Sequence, residues 1–236
     1  LEEEIKIMDW NKILNWKLLA GSHGFPGPDG GTCINEAAIV AAGFDYRMVI
    51  STDQMPQCFS RPICLYALSI NDRMPDDLRQ KLLMPFVTRL SGTADSGEVE
   101  VERTLLMVSM VLENIFPIAQ SVVEKDSDIY VLAYYNNACK AIDEARQRLR
   151  SINSLIDHTA RGSLAPSPLL GTLLYSVNMA AQAVGLCALA CKSKDDKRRV
   201  WIAAVSILEE ILKVGRHEVV DLAVACDRLE AAKVTV

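Results

Sequence analysis

Aromatic residues make up only 6% of the 236-residue chain. The core must therefore be packed mainly by aliphatic side chains and alanine. Histidine is scarcer, with three residues, His23, His158 and His217, and none lies near Cys187 and Cys191 in sequence, so those two thiols make a poor zinc site. Neither charge sign dominates. The net charge of -5 and pI of about 5.3 give no general attraction to nucleic-acid phosphate, and no nucleic-acid partner is expected. Paired cysteine motifs are missing: seven cysteines are scattered among apolar neighbours, and no CxxC occurs. An odd, scattered set argues against a disulfide framework and for free thiols in a reducing cytoplasm. The opening LEEEIKI is acidic and has no apolar run of the secretory kind. The phosphate-binding GxxxxGK[ST] and the dinucleotide GxGxxG are also missing, so no cofactor is expected.

Charge is absent throughout residues 164–191, a length that would span a bilayer. Asn178 and Gln182 sit near its middle, and alanine and glycine fill much of the rest. These features favour a central helix, the most buried in the protein, over a membrane span.

Half of the chain is hydrophobic, which excludes a disordered polymer. Six of the twelve glycines lie in the first 43 residues, and seven of the nine prolines lie before residue 118. This asymmetry divides the chain into a loop-rich front of short helices, residues 1–95, and a long-helix rear, residues 96–236, joined in one continuous core. Apolar spacing predicts helices over 8–19, 32–42, 60–70, 75–90, 99–123, 127–158, 168–191, 195–214 and 217–233. Pro85 should split one of them, and Phe116-Pro117 should interrupt another. Residues 91–97 read as a linker. A short pairing near Arg47 to Ser51 is the only sheet expected. The fold class is all-α, a multi-helix bundle with a structured Gly/Pro-rich loop near the N-terminus.

That loop, GSHGFPGPDGGTCINE over residues 21–36, is the most informative segment. It feeds a helix start at Thr32 or Cys33, where free backbone N–H groups and the helix dipole favour an anion. A thiol there should have a lowered pKa, which makes Cys33 the best nucleophile candidate, with His23, or His158 or His217 brought near by the fold, as its base. Asp29, Gly30, Gly31, Thr32 and Arg61 are the candidate binding residues, and a small anionic ligand at residues 21–33 is the corresponding expectation. A purely structural reading also stands: Thr32 as an ordinary N-cap and Cys33 facing the core. Cys58 and Cys64, with Arg61 between them, suggest two packed thiols more than a redox pair. Asp72, Asp76 and Asp77 read as helix caps more than metal ligands, and no metal site is expected.

Residues 24–47 (GFPGPDGGTCINEAAIVAAGFDYR), 58–63 (CFSRPI) and 71–95 (NDRMPDDLRQKLLMPFVTRLSGTAD) resemble a family of uncharacterised bacterial proteins. The resemblance covers about a third of the chain and implies no catalytic residue, cofactor or substrate. The expected function is a cytoplasmic helical scaffold that binds another protein. The alternative is a Cys33-dependent hydrolase or transferase. No membrane association is expected.

Overall fold

The computed structural model describes residues 17–23, 31–126, 128–152, 168–215 and 222–231. Most of the helix predicted over 8–19 lies outside them. Its described end is not helical, because β1 (Lys17–Leu18) pairs in parallel with β2 (Gly31–Thr32). Gly31 is required there for close approach. A Cβ at this position would lie 2.3 Å from Leu19 Cγ and 2.6 Å from the Lys17 carbonyl oxygen. The pairing expected near Arg47 to Ser51 does not form. The Val49 backbone is taken by side chains instead: its N–H donates to Glu36, and its carbonyl accepts from the Ser22 hydroxyl.

Most of the rest of the described chain is helical, as predicted. The helices are α1 (Ile34–Ala41), α2 (Arg61–Arg73), α3 (Asp76–Leu83), α4 (Gly97–Met110), α5 (Phe116–Val123), α6 (Ile129–Arg150), α7 (Pro168–Ala190), α8 (Lys194–Ile211) and α9 (Leu222–Ala231). Pro62 sits in the first turn of α2, where its missing N–H costs nothing. Pro85 ends α3 and leaves a 3-10 segment over Met84–Arg89. Pro117 acts differently. Between α4 and α5 the chain widens into a π-turn over Val111–Ile115, closed by the Phe116 N–H donating to the Val111 carbonyl. The wide turn keeps the two helices in sequence despite the missing proline N–H.

Helix α7 is the hub, packing against α2, α4, α5, α6 and α8. Together, α4 to α5 and α7 provide two helical stretches long and apolar enough to cross a membrane. In α7, 61% of the apolar window is buried inside the protein. It is not the most buried helix, however. That is α1, whose eight residues are all buried against α2, α9 and the 3-10 segment. Ile34, Ile39 and Val40 each contribute about 1.5–3 kcal/mol of burial there. Asn35 donates its side-chain N–H to the Cys64 carbonyl at 3.0 Å, while its buried side-chain oxygen has no partner among the described residues.

One cluster of buried residues runs from Leu18 to Leu229, so front and rear share a core. Residues 91–97 are a packed junction rather than a free linker. Thr93 is fully buried, and Ala94 N–H donates to the Cys58 carbonyl at 3.0 Å. The buried Arg103 guanidinium holds this junction. It donates to the Thr93 carbonyl at 2.6 Å, to Glu100 at 3.0 Å and to the Val214 carbonyl at 2.7 Å. Glu100 also accepts from the Ser60 hydroxyl at 2.7 Å, which ties in the start of α2.

Candidate functional site

The glycine-rich loop meets α1 at a buried carboxylate. Glu36 has no exposed surface, and its two oxygens accept three backbone hydrogen bonds and contact the His23 ring. Oε1 accepts from the His23 N–H at 2.9 Å and the Val49 N–H at 3.1 Å. Oε2 accepts from the Cys33 N–H at 2.8 Å and faces His23 Nδ1 at 3.2 Å. Three separate stretches are thus pinned to one carboxylate. The helix start favours negative charge, and the protein supplies that charge from its own third helical residue.

Cys33, not Thr32, is the N-cap. Its sulfur accepts from the Glu36 N–H at 3.4 Å, completing a reciprocal capping box. Thr32 lies in β2 instead, with its hydroxyl buried and without a hydrogen-bond partner among the described residues. The expectation of a lowered Cys33 pKa is corrected. Burial pushes the thiol far above its ordinary range, and the Glu36 charge pushes it the same way. The lowering by backbone N–H groups is outweighed. Cys33 is therefore a protonated thiol with no exposed surface. His23 is brought to the same carboxylate, where its Nδ1 is engaged with Glu36.

Asp29 and Gly30 lie outside the described residues, as do His158 and His217. Gly31 serves the strand pairing. Arg61 opens α2 and donates to the carbonyls of Pro56 at 2.9 Å and Phe59 at 3.3 Å. It also lines a cavity of about 320 Å³ with Glu100, Asp95 and Leu173, well apart in sequence from the loop. Cys58 and Cys64 are both free thiols, Cys64 buried and Cys58 half-buried. Asp72 accepts from the Gly21 N–H at 2.9 Å, and Asp76 pairs with Arg79 at 2.6 Å. No group of metal-ligating residues occurs among the described residues.

A surface feature that the sequence reading missed lies just beyond α1. Gly43 adopts φ +88°, and the helix closes with Gly43 N–H on the Val40 carbonyl and Phe44 N–H on the Ile39 carbonyl. This double closure turns the chain sharply out of the core. The following segment presents Phe44, Met48 and Ile50 to solvent, with Ile50 66% exposed. Its backbone is nonetheless fixed. Val49 is held on both sides by Glu36 and Ser22, Tyr46 donates its hydroxyl to the His23 carbonyl at 2.6 Å, and Ile50 N–H donates to Gln54 at 2.6 Å. In the sequence, Met48-Val49-Ile50 is a run of three apolar residues, and nothing in it tells which of them faces solvent.

No family model, curated protein or solved structure matches the chain.

Proposed function

We propose that this is a cytoplasmic helical scaffold that binds a partner protein through residues 44–50. One observation carries the reading: three large apolar side chains, Phe44, Met48 and Ile50, project from a backbone pinned to a buried carboxylate. Ordering an interface segment before association removes part of the entropy that binding otherwise costs. Exposed apolar side chains on such a segment lose their contact with water when a partner covers them. The six described cysteines are free, as a reducing cytoplasm would keep them. The thiol-enzyme alternative draws support only from the position of Cys33 at a helix start, and its burial and raised pKa oppose it.

The test is a photocrosslinking amino acid placed at Ile50 in the natural host, with Leu105 as the exposed apolar control. A discrete adduct from position 50 that Met48→Asp abolishes, and that position 105 does not give, supports the reading. The same adducts from both positions, or none from position 50, refute it.

A further inference from the structure

A separate concave site shares no residue with the 44–50 segment. It is a cavity of about 590 Å³ between the end of α2, the C-terminal part of α7 and the first half of α8. This is within the size range of small-molecule sites. Its apolar bed is built from Leu186, Leu189, Trp201 and Pro75, with Trp201 only 3% exposed. Two cations, Arg73 and Lys197, stand on its lining, and no carboxylate does. Neither cation is in an ion pair among the described residues, although the chain as a whole carries a charge of -5.

The shape of the site is built into the sequence. Gly185 lies on the α7 face beneath Arg73, and a Cβ there would come within 2.7 Å of Arg73 Cδ. The missing side chain lets the arginine lie across α7. One guanidinium nitrogen is fixed by donating to the Ser69 carbonyl at 2.9 Å, which leaves the other donors of the fork uncommitted. Lys197 is half-buried on α8, and Gln182 adds an uncharged polar group on α7. Positive charge and hydrogen-bond donors thus border an apolar bed.

We propose that this cavity binds a small amphiphilic carboxylate, its acid group taken by Arg73 and Lys197 and its apolar body laid on Leu186, Leu189 and Trp201. The charge pattern selects this occupant over an uncharged lipid or a cationic ligand. An apolar bed with a forked cation at its border matches a carboxylate attached to a hydrophobic body. The cavity is also concave rather than a long groove along a helix pair, which favours a small molecule over a helical peptide.

The experiment uses 4-phenylbutyrate and its uncharged counterpart 4-phenylbutanol, titrated calorimetrically into the full chain. The acid should bind with one site per chain, and the alcohol at least about fivefold more weakly. The variant with Arg73→Gln and Lys197→Gln should remove that preference while leaving the alcohol's affinity unchanged, as expected for loss of partly exposed charge contacts. A second variant, Gly185→Leu, fills the cavity and should abolish binding of both. The wild-type comparison stands even if a variant fails to fold. Equal affinity for acid and alcohol, or no saturable binding of the acid, overturns the proposal. So does acid binding that survives in the folded double variant.

Discussion

Replacing Glu36 by glutamine removes one oxygen from a carboxylate that accepts three backbone hydrogen bonds. The amide nitrogen must take the place of either Oε1 or Oε2. At Oε2 it faces the Cys33 N–H, and at Oε1 it faces the N–H groups of His23 and Val49. Either way, at least one buried backbone donor meets another donor. Cys33 and Val49 have no exposed surface, so water cannot substitute. A buried donor left without an acceptor costs about 1–3 kcal/mol. Glu36→Gln should therefore lose about 1–3 kcal/mol. Glu36→Ala strands both fully buried donors and should lose about 2–6 kcal/mol, a large share of the roughly 5–15 kcal/mol that holds a typical domain together. Urea unfolding followed by circular dichroism gives these differences from the shift in midpoint at constant slope. Hydrogen exchange adds a local reading: the Val49 and His23 amides should lose protection before the α7 amides do. Loss of less than about 0.5 kcal/mol in the alanine variant, with unchanged Val49 protection, would refute the reasoning.

Other substitutions test the same account elsewhere. Gly43→Ala forces a side chain into the left-handed region and brings its Cβ within 2.8 Å of the Arg228 guanidinium, so thermal unfolding should show a loss of about 1 kcal/mol or more. Gly31→Ala should lower the melting temperature for a different reason, contact with the Lys17 carbonyl and Leu19, and an unchanged melting temperature would contradict the strand pairing. Arg103→Met strands the buried Glu100 carboxylate and should cost about 3–5 kcal/mol, with Glu100→Gln in the same chain recovering part of it in a double-mutant cycle. Burial raises the Glu100 pKa above its ordinary value. Its contribution is thus fully present below that ordinary value and is lost as pH rises through the raised one. With the Arg103 charge removed, the loss between mildly acidic and neutral pH should be steeper, as measured by urea midpoints at the two pH values.

The helical class and most boundaries were legible because apolar spacing and proline position act locally. Pro85 and Pro117 marked both interruptions, and Gly43 marked the end of α1. The order of burial was less legible. An uncharged stretch such as α7 reads as the deepest helix, yet all eight residues of α1 are buried, because Glu36 and the Asn35 side-chain N–H find partners that only the fold reveals. The capping box escaped notice because its pattern normally begins with serine or threonine, and here cysteine supplies the acceptor. The thiol itself was misjudged through competition between two effects. Helix-start N–H groups lower a thiol pKa, but desolvation and a neighbouring carboxylate raise it more, and only the fold reveals that neighbour. Arg103 and Glu100, three residues apart on α4, look like any solvated helix pair until the fold buries them against Thr93 and Val214.

The central claim is that Cys33 is a buried cap anchoring a binding surface and not a reactive nucleophile. Native alkylation with iodoacetamide at neutral pH, read residue by residue by mass spectrometry, tests it most directly. Half-buried Cys58 and Cys139 should be modified before the four buried thiols among the six described, and Cys33 should stay unmodified until denaturant is added. Preferential, rapid labelling of Cys33 in the folded protein would contradict the account and restore the thiol enzyme.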